Sequence, residues 1–162
     1  MARPFIAVTK FVGVCSLGLL TGLSFGASFA SIKALLTLPS APAAHRSFTA
    51  LTNRLTAITT PLTILATLSL ITSYTLSPRR FKHPYLLFTA ALPLLSAGYA
   101  QVVLAPKAAR MQRLLTENGE RGVNGEELRD GIVEWEEASW GVVGLCGVGF
   151  GMGVVGIWGD CA

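Results

Sequence analysis

Charge is scarce in this sequence, and four long stretches lack it altogether. Only 14% of the 162 residues are Asp, Glu, Lys or Arg. None of these four types occurs in residues 11–32, 55–78, 83–106 or 138–159, which gives uncharged runs of 22, 24, 24 and 22 residues. At about 1.5 Å per residue, such a run makes a helix of roughly 33–36 Å, enough to cross a hydrocarbon core of about 30 Å. A water-soluble fold has no use for four of them. The chain therefore reads as all-α, a four-span transmembrane helical bundle with one short polar helical segment between spans 3 and 4. The spans fall at about residues 11–32, 55–77, 84–105 and 139–159, and the extramembrane segment at 106–138. Too little chain is left for a second core, so residues 1–162 are expected to form a single membrane domain.

Other absences narrow the function. No Asp or Glu precedes Glu117, whereas eleven Lys and Arg do. That imbalance suits anionic lipid headgroups. No basic stripe with interleaved aromatics lies outside the spans, so no nucleic-acid partner is expected. The spans carry no acidic, Lys or Arg side chain, and no His away from an edge. Ion pathways and proton relays in membranes are built from such groups, so a pump or ion-coupled transporter is excluded. His45 and His83 sit in separate connections without thiol or carboxylate companions, and no metal, haem or other cofactor is expected. The three cysteines, Cys15, Cys146 and Cys161, form no CxxC and no disulfide framework. At 22 residues, the first apolar run exceeds the usual core of about 7–15 residues in a secretory signal. Basic residues divide five against six between the two sides of the four spans, which leaves orientation open.

The runs contain much that is small. In span 1, Gly18, Gly22, Gly26 and Ala30 recur every four residues and share a helix face. Small residues at that spacing let another backbone come close, which is how helices associate in lipid. The expected use is packing against the other spans of the chain, with a homo-oligomer face as the second reading. Span 4 has the same character through Gly141, Gly144, Gly147, Gly149, Gly151, Gly153 and Gly156. Its stretch Gly151-Met152-Gly153-Val154-Val155-Gly156 matches a dinucleotide fingerprint, but no βαβ unit surrounds it and no acidic residue follows at the required distance. Trp140 and Trp158 are 18 residues apart, about 27 Å of helix, and suit the two interfaces of a bilayer.

The connections differ from one another. Span 2 is rich in Thr, with Pro61 read as lying in its first turns. Spans 2 and 3 are joined by the cationic Pro78-Arg79-Arg80-Phe81-Lys82-His83-Pro84, too short for anything but an antiparallel hairpin. Pro93 lies mid-span and predicts a kink. Lys107, Arg110 and Arg113 alternate with Met111, Leu114 and Leu115, the pattern of a helix lying on a membrane surface. Asn118-Gly119 and Asn124-Gly125 read as turns, with Asn124 as a helix N-cap and Glu127 completing a capping box. The acidic helix that follows runs into span 4. Trp140-Gly141-Val142-Val143 after Glu134, Glu136 and Glu137 resembles the short motif by which autophagy receptors add a strand to ubiquitin-like proteins. In it, Trp140 and Val143 would fill the two pockets. Against this stands the plainer role of Trp140 as an interfacial anchor.

Two stretches point to a family. Thr9-Lys10-Phe11-Val12-Gly13, followed by Ser16-Leu17-Gly18-Leu19-Leu20-Thr21-Gly22-Leu23, resembles the first span of the fungal autophagy-related protein 33 family. Lys82-His83-Pro84-Tyr85-Leu86-Leu87 resembles the opening of that family's third span. The likeness is densest over residues 9–26 and 82–96, and the order of elements agrees. The resemblance implies a multi-pass mitochondrial outer-membrane protein required for selective autophagy of mitochondria, with no catalytic residues. Its partners would be the lipid bilayer and the autophagy machinery or other outer-membrane proteins. A small four-span enzyme of the anthrone-oxygenase-like type is the alternative. It would require polar side chains converging inside the bundle.

Overall fold

In a bilayer the backbone must satisfy its own hydrogen bonds, and the chain does so by being helical almost throughout. The structure, a computed structural model, describes the backbone of residues 2–77, 85–122 and 125–161 and the side chains of residues 5–77, 85–113 and 125–158. Six α-helices follow one another: α1 (Ala2–Gly26), α2 (Ile32–Leu36), α3 (Ala41–Leu76), α4 (Tyr85–Tyr99), α5 (Ala105–Gly122) and α6 (Gly125–Cys161). A π-helical turn at Ala27–Ser31 fuses α1 to α2, and another at Ala100–Leu104 fuses α4 to α5. Four continuous rods result, and each is long and apolar enough to cross a membrane. The expected hairpin at residues 78–84 and the Asn124 cap lie outside the described residues.

The rods form an up-down-up-down bundle. Helix α1 packs against α3 and α6, and α4 packs against the same two. Direction follows from paired contacts. Thr9 Oγ1 meets Ser73 Oγ at 2.7 Å, while Ser28 Oγ meets Ser139 Oγ at 2.6 Å. The Cys146 thiol donates to Ser96 Oγ at 3.2 Å, and the Tyr99 hydroxyl donates to the Ala138 carbonyl at 3.1 Å. Small hydroxyls and a thiol thus pin α1 to α3 and to α6, and α4 to α6. In lipid such bonds hold helices together where no hydrophobic force acts between them. The outward faces are apolar and bare. Phe11, Leu19, Leu68, Phe88, Val102 and Val155 are all more than half exposed, as suits side chains that face lipid tails.

There are two cores. One lies within the spans, around Leu17, Leu20, Ala66, Leu70, Leu86 and Cys146. The other lies at the end where α1, α4 and their π turns lead out of the uncharged runs. Phe48, Met111, Leu128, Ile132 and Trp135 gather there with Ile32 and Leu35. This second core forms a small helical head built from α2, the start of α3, α5 and the start of α6. The rings of Phe48 and Trp135 meet edge to face at 5.6 Å. His45 is buried in the head, and its Nε2 donates to the Met111 carbonyl at 2.9 Å.

The head corrects three expectations. Helix α3 begins at Ala41 with Pro42 in its first turn, because Ala44, His45, Phe48 and Thr52 give residues 41–54 a buried face of their own. Pro61 is therefore internal to the helix and not in its first turns. In the basic segment, Met111 of α5 is 2% exposed and its side chain packs on Gly131 of α6, so at this position the apolar face meets protein. Finally, α5 continues through Asn118-Gly119 and does not turn there. The acidic helix does run unbroken into span 4, as α6.

Phe48→Ala should cost about 3–5 kcal/mol, the loss typical of a large buried aromatic. Thermal unfolding of the detergent-solubilised chain, followed by circular dichroism, should show a clear drop in midpoint. Phe11→Ala, on the lipid-facing side, should leave the midpoint in place.

Candidate functional site

Three features of the bundle are built for contact: the charged side of the head, the glycine-lined helix faces, and a cavity between the rods.

On the head, α5 and α6 run antiparallel and set opposite charges beside each other. Lys107 Nζ lies 3.1 Å from Glu134 Oε2, and an Arg110 nitrogen lies 3.7 Å from Glu127 Oε1. The Lys107 ammonium donates a hydrogen bond to Glu134 and, with its charge, holds that carboxyl below the usual range. The pair is solvated, so it orients the two helices more than it stabilises them. Asp130 and Glu137 are exposed on the same helix, and Asp130 lines the groove between α5 and α6 together with Lys107, Arg110, Glu127 and Glu134.

The glycines divide by what stands opposite them. A methyl group at Gly18 would fall 2.9 Å from the Phe150 ring on α6. At Gly153 it would fall 2.7 Å from Val14 of α1, and at Gly149 3.2 Å from Leu92 of α4. Gly147 lies in ordinary contact with Thr21, at 3.7 Å. Gly22, Gly26 and Gly151 have nothing within 4 Å. Gly22 and Gly26 instead line a shallow groove between α1 and α3, with Leu51, Leu55 and Ile58 on its other wall and Arg54 at its head end. Two further close approaches were not singled out from the sequence. Gly141 lies under the Tyr99 ring and Gly156 under the Tyr85 ring. Tyr at both ends of α4 was the available signal, since a large ring on one helix requires a missing side chain on its neighbour.

Trp140 is 41% exposed and meets the Phe25 ring edge to face at 5.8 Å. Val143 is half-buried on the same helix. Residues 134–143 are helical throughout, so their backbone groups are already paired within α6. A strand-adding motif needs an extended backbone, and this fold does not present one there.

The cavity, of about 360 Å³, is bounded by all four rods. Leu20, Ser24 and Ser28 line it from α1 and the first π turn, and Ser139 and Cys146 from α6. Thr52, Thr56, Thr59, Thr60 and Thr63 present the Thr-rich face of α3 to it. Four of these threonines donate to the carbonyl four residues back, which quiets their hydroxyl protons. Among the described residues, no group of three or more His, Cys, Asp or Glu is placed to hold a metal ion.

This architecture has relatives. The family model described as Autophagy-related protein 33 matches residues 5–130. The chain belongs to the autophagy-related protein 33 family. A curated Autophagy-related protein 33 of Gibberella zeae is 33% identical over 183 aligned positions, which take in 97% of this chain and 92% of the relative. No solved structure matches the fold. The match to the autophagy-related protein 33 model takes in the first three rods and the start of α6, so most of the head lies within it.

Two outcomes follow from the packing and from the pair on the head. Gly153→Leu should break the contact of α6 with α1 and lower the thermal midpoint in detergent, whereas Gly151→Leu, two residues away, should be tolerated. Glu134 has a lowered carboxyl pKa in the folded head. Its contribution is therefore present above the ordinary carboxylate range and lost as pH falls through the lowered value. The protection of α5 amides, taken relative to their intrinsic exchange rate at each pH, should fall on acidification in the native chain, and Glu134→Gln should flatten that dependence.

Proposed function

We propose that this chain is a multi-pass protein of the mitochondrial outer membrane, required for selective autophagy of mitochondria and acting without catalysis. Membership of the autophagy-related protein 33 family carries the reading. The mitochondrial address comes from the resemblance already visible in the first and third spans. In this reading the bilayer holds the four rods. The head, as the sizeable part beyond the uncharged runs, meets the autophagy machinery or other outer-membrane proteins. The exposed carboxylates of Asp130 and Glu137 on α6 offer charged contacts to such a partner. The groove beside Gly22 and Gly26 leaves room for self-association through a second copy's helix. The anthrone-oxygenase-like alternative gains nothing from the family comparison.

A tagged copy expressed in a deletion strain carrying a mitochondrial-turnover reporter tests this directly. The tag should mark mitochondria, and turnover should be restored. Asp130→Lys combined with Glu137→Lys should keep the location and reduce turnover. A plasma-membrane or endoplasmic-reticulum signal with turnover unchanged by the deletion would overturn the proposal.

A further inference from the structure

We infer that the cavity inside the bundle is a binding site for a neutral membrane lipid with a single hydroxyl head, of the sterol class, which enters sideways between α3 and α4. This inference is independent of the mitochondrial reading and rests on four observations.

The first is the route. Lining residues from α1 and its π turn are buried, and those from α6 are buried or half-buried. The exposed ones are Thr56, Thr60 and Ile64 of α3, Leu94 of α4, and Gln101 and Ala105 just beyond it. The mouth therefore opens on the flank between α3 and α4, at the level of the uncharged runs, where lipid and not water is the neighbouring phase.

The second is charge. No Asp, Glu, Lys, Arg or His lines the cavity. A phosphate or carboxylate would find no counter-ion there, and burying it unpaired is prohibitive. The occupant is neutral.

The third is the set of polar groups left unmet. Ser24 is 5% exposed and lines the cavity, and among the described residues its hydroxyl makes no hydrogen bond. Ser96 is 4% exposed. Its oxygen accepts the Cys146 thiol, and its own proton is donated to no described group. Thr59 and the Gln101 amide line the same space and are likewise unbonded among the described residues. Ser24 can both donate and accept and Ser96 can still donate, in an otherwise apolar wall, so the two suit a partner that both accepts and donates. One hydroxyl does both.

The fourth is size and backbone. About 360 Å³ lies in the range of small-molecule sites, roughly 300–1,000 Å³. The space takes the rigid four-ring nucleus of a sterol, which has little entropy to lose, with its alkyl tail left in the lipid at the mouth, whereas the two chains of a diacylglycerol would not fit. Both π turns touch the cavity, Ala27–Ser31 through Ser28 and Ala100–Leu104 through Gln101. Such turns concentrate at functional sites because the extra residue re-aims side chains.

The test uses the full chain in phosphatidylcholine nanodiscs and a photoreactive, clickable sterol. Saturable adducts should map to peptides of α3 and of the rod from α4 into α5, and unlabelled sterol should compete for them. Ala97→Phe, which fills the mouth, should abolish them. Ser24→Ala, which changes no volume that packing needs, should weaken competition about fivefold, the worth of one hydrogen bond, with an unchanged thermal midpoint. The site is refuted by adducts spread evenly over the lipid-facing sides of α1 and α6, by failure of unlabelled sterol to compete, or by equal labelling of the same peptides with a photoreactive diacylglycerol or phosphatidylcholine.

Discussion

A peptide group in the middle of a bilayer has no water to bond, so a chain that crosses must pair its N–H and C=O groups within each segment. That requirement makes this protein helical, and its other features depend on it. It lets α6 keep a helix through a stretch so rich in glycine that it would be marginal in water. It also means that the helices are held together by fit and by small polar contacts, since lipid tails compete freely for every Leu and Val. Gly153 against Val14, Gly156 under Tyr85, and the hydroxyl pairs Thr9–Ser73 and Ser28–Ser139 are that fit made specific.

The same rods continue past the membrane, and there the physics changes sign. Outside lipid, the hydrophobic effect acts again, and Phe48, Met111, Leu128, Ile132 and Trp135 collapse into a core of their own. The head consists of four helix ends packed on one another around these side chains. The two π turns lie where one regime gives way to the other. Ser28 and Gln101 face the cavity, Ile32 faces the head core, and Leu104 touches both.

Parts of this were readable in advance. Absence of charge located the four spans, and the two family-like stretches pointed to the family that the full-length comparison supports. The acidic helix was seen to enter span 4. Pro39, Pro42 and the His45-Arg46 pair break the apolar pattern, so the sequence points to helix only from about Ser47, and the start at Ala41 depends on partners on α2, α5 and α6. The amphipathic pattern of the basic segment records that an apolar face exists, not what covers it, and at Met111 the cover is α6. The glycines illustrate the same gap. Gly22 and Gly18 share a face by spacing, yet one meets open space and the other an aromatic ring.

The order of the residues alone decided that the chain is helical, that it lives in a bilayer, where its charges end, and which family it joins. These follow from local terms, namely backbone satisfaction, transfer of side chains into lipid, and likeness of motif. The helical head, the gathering of Ser24, Ser96 and Cys146 around one cavity, and the sorting of small residues into packed and open ones were decided only by the tertiary structure. Each of those depends on what stands opposite a side chain, and four helices fix that only when they come together.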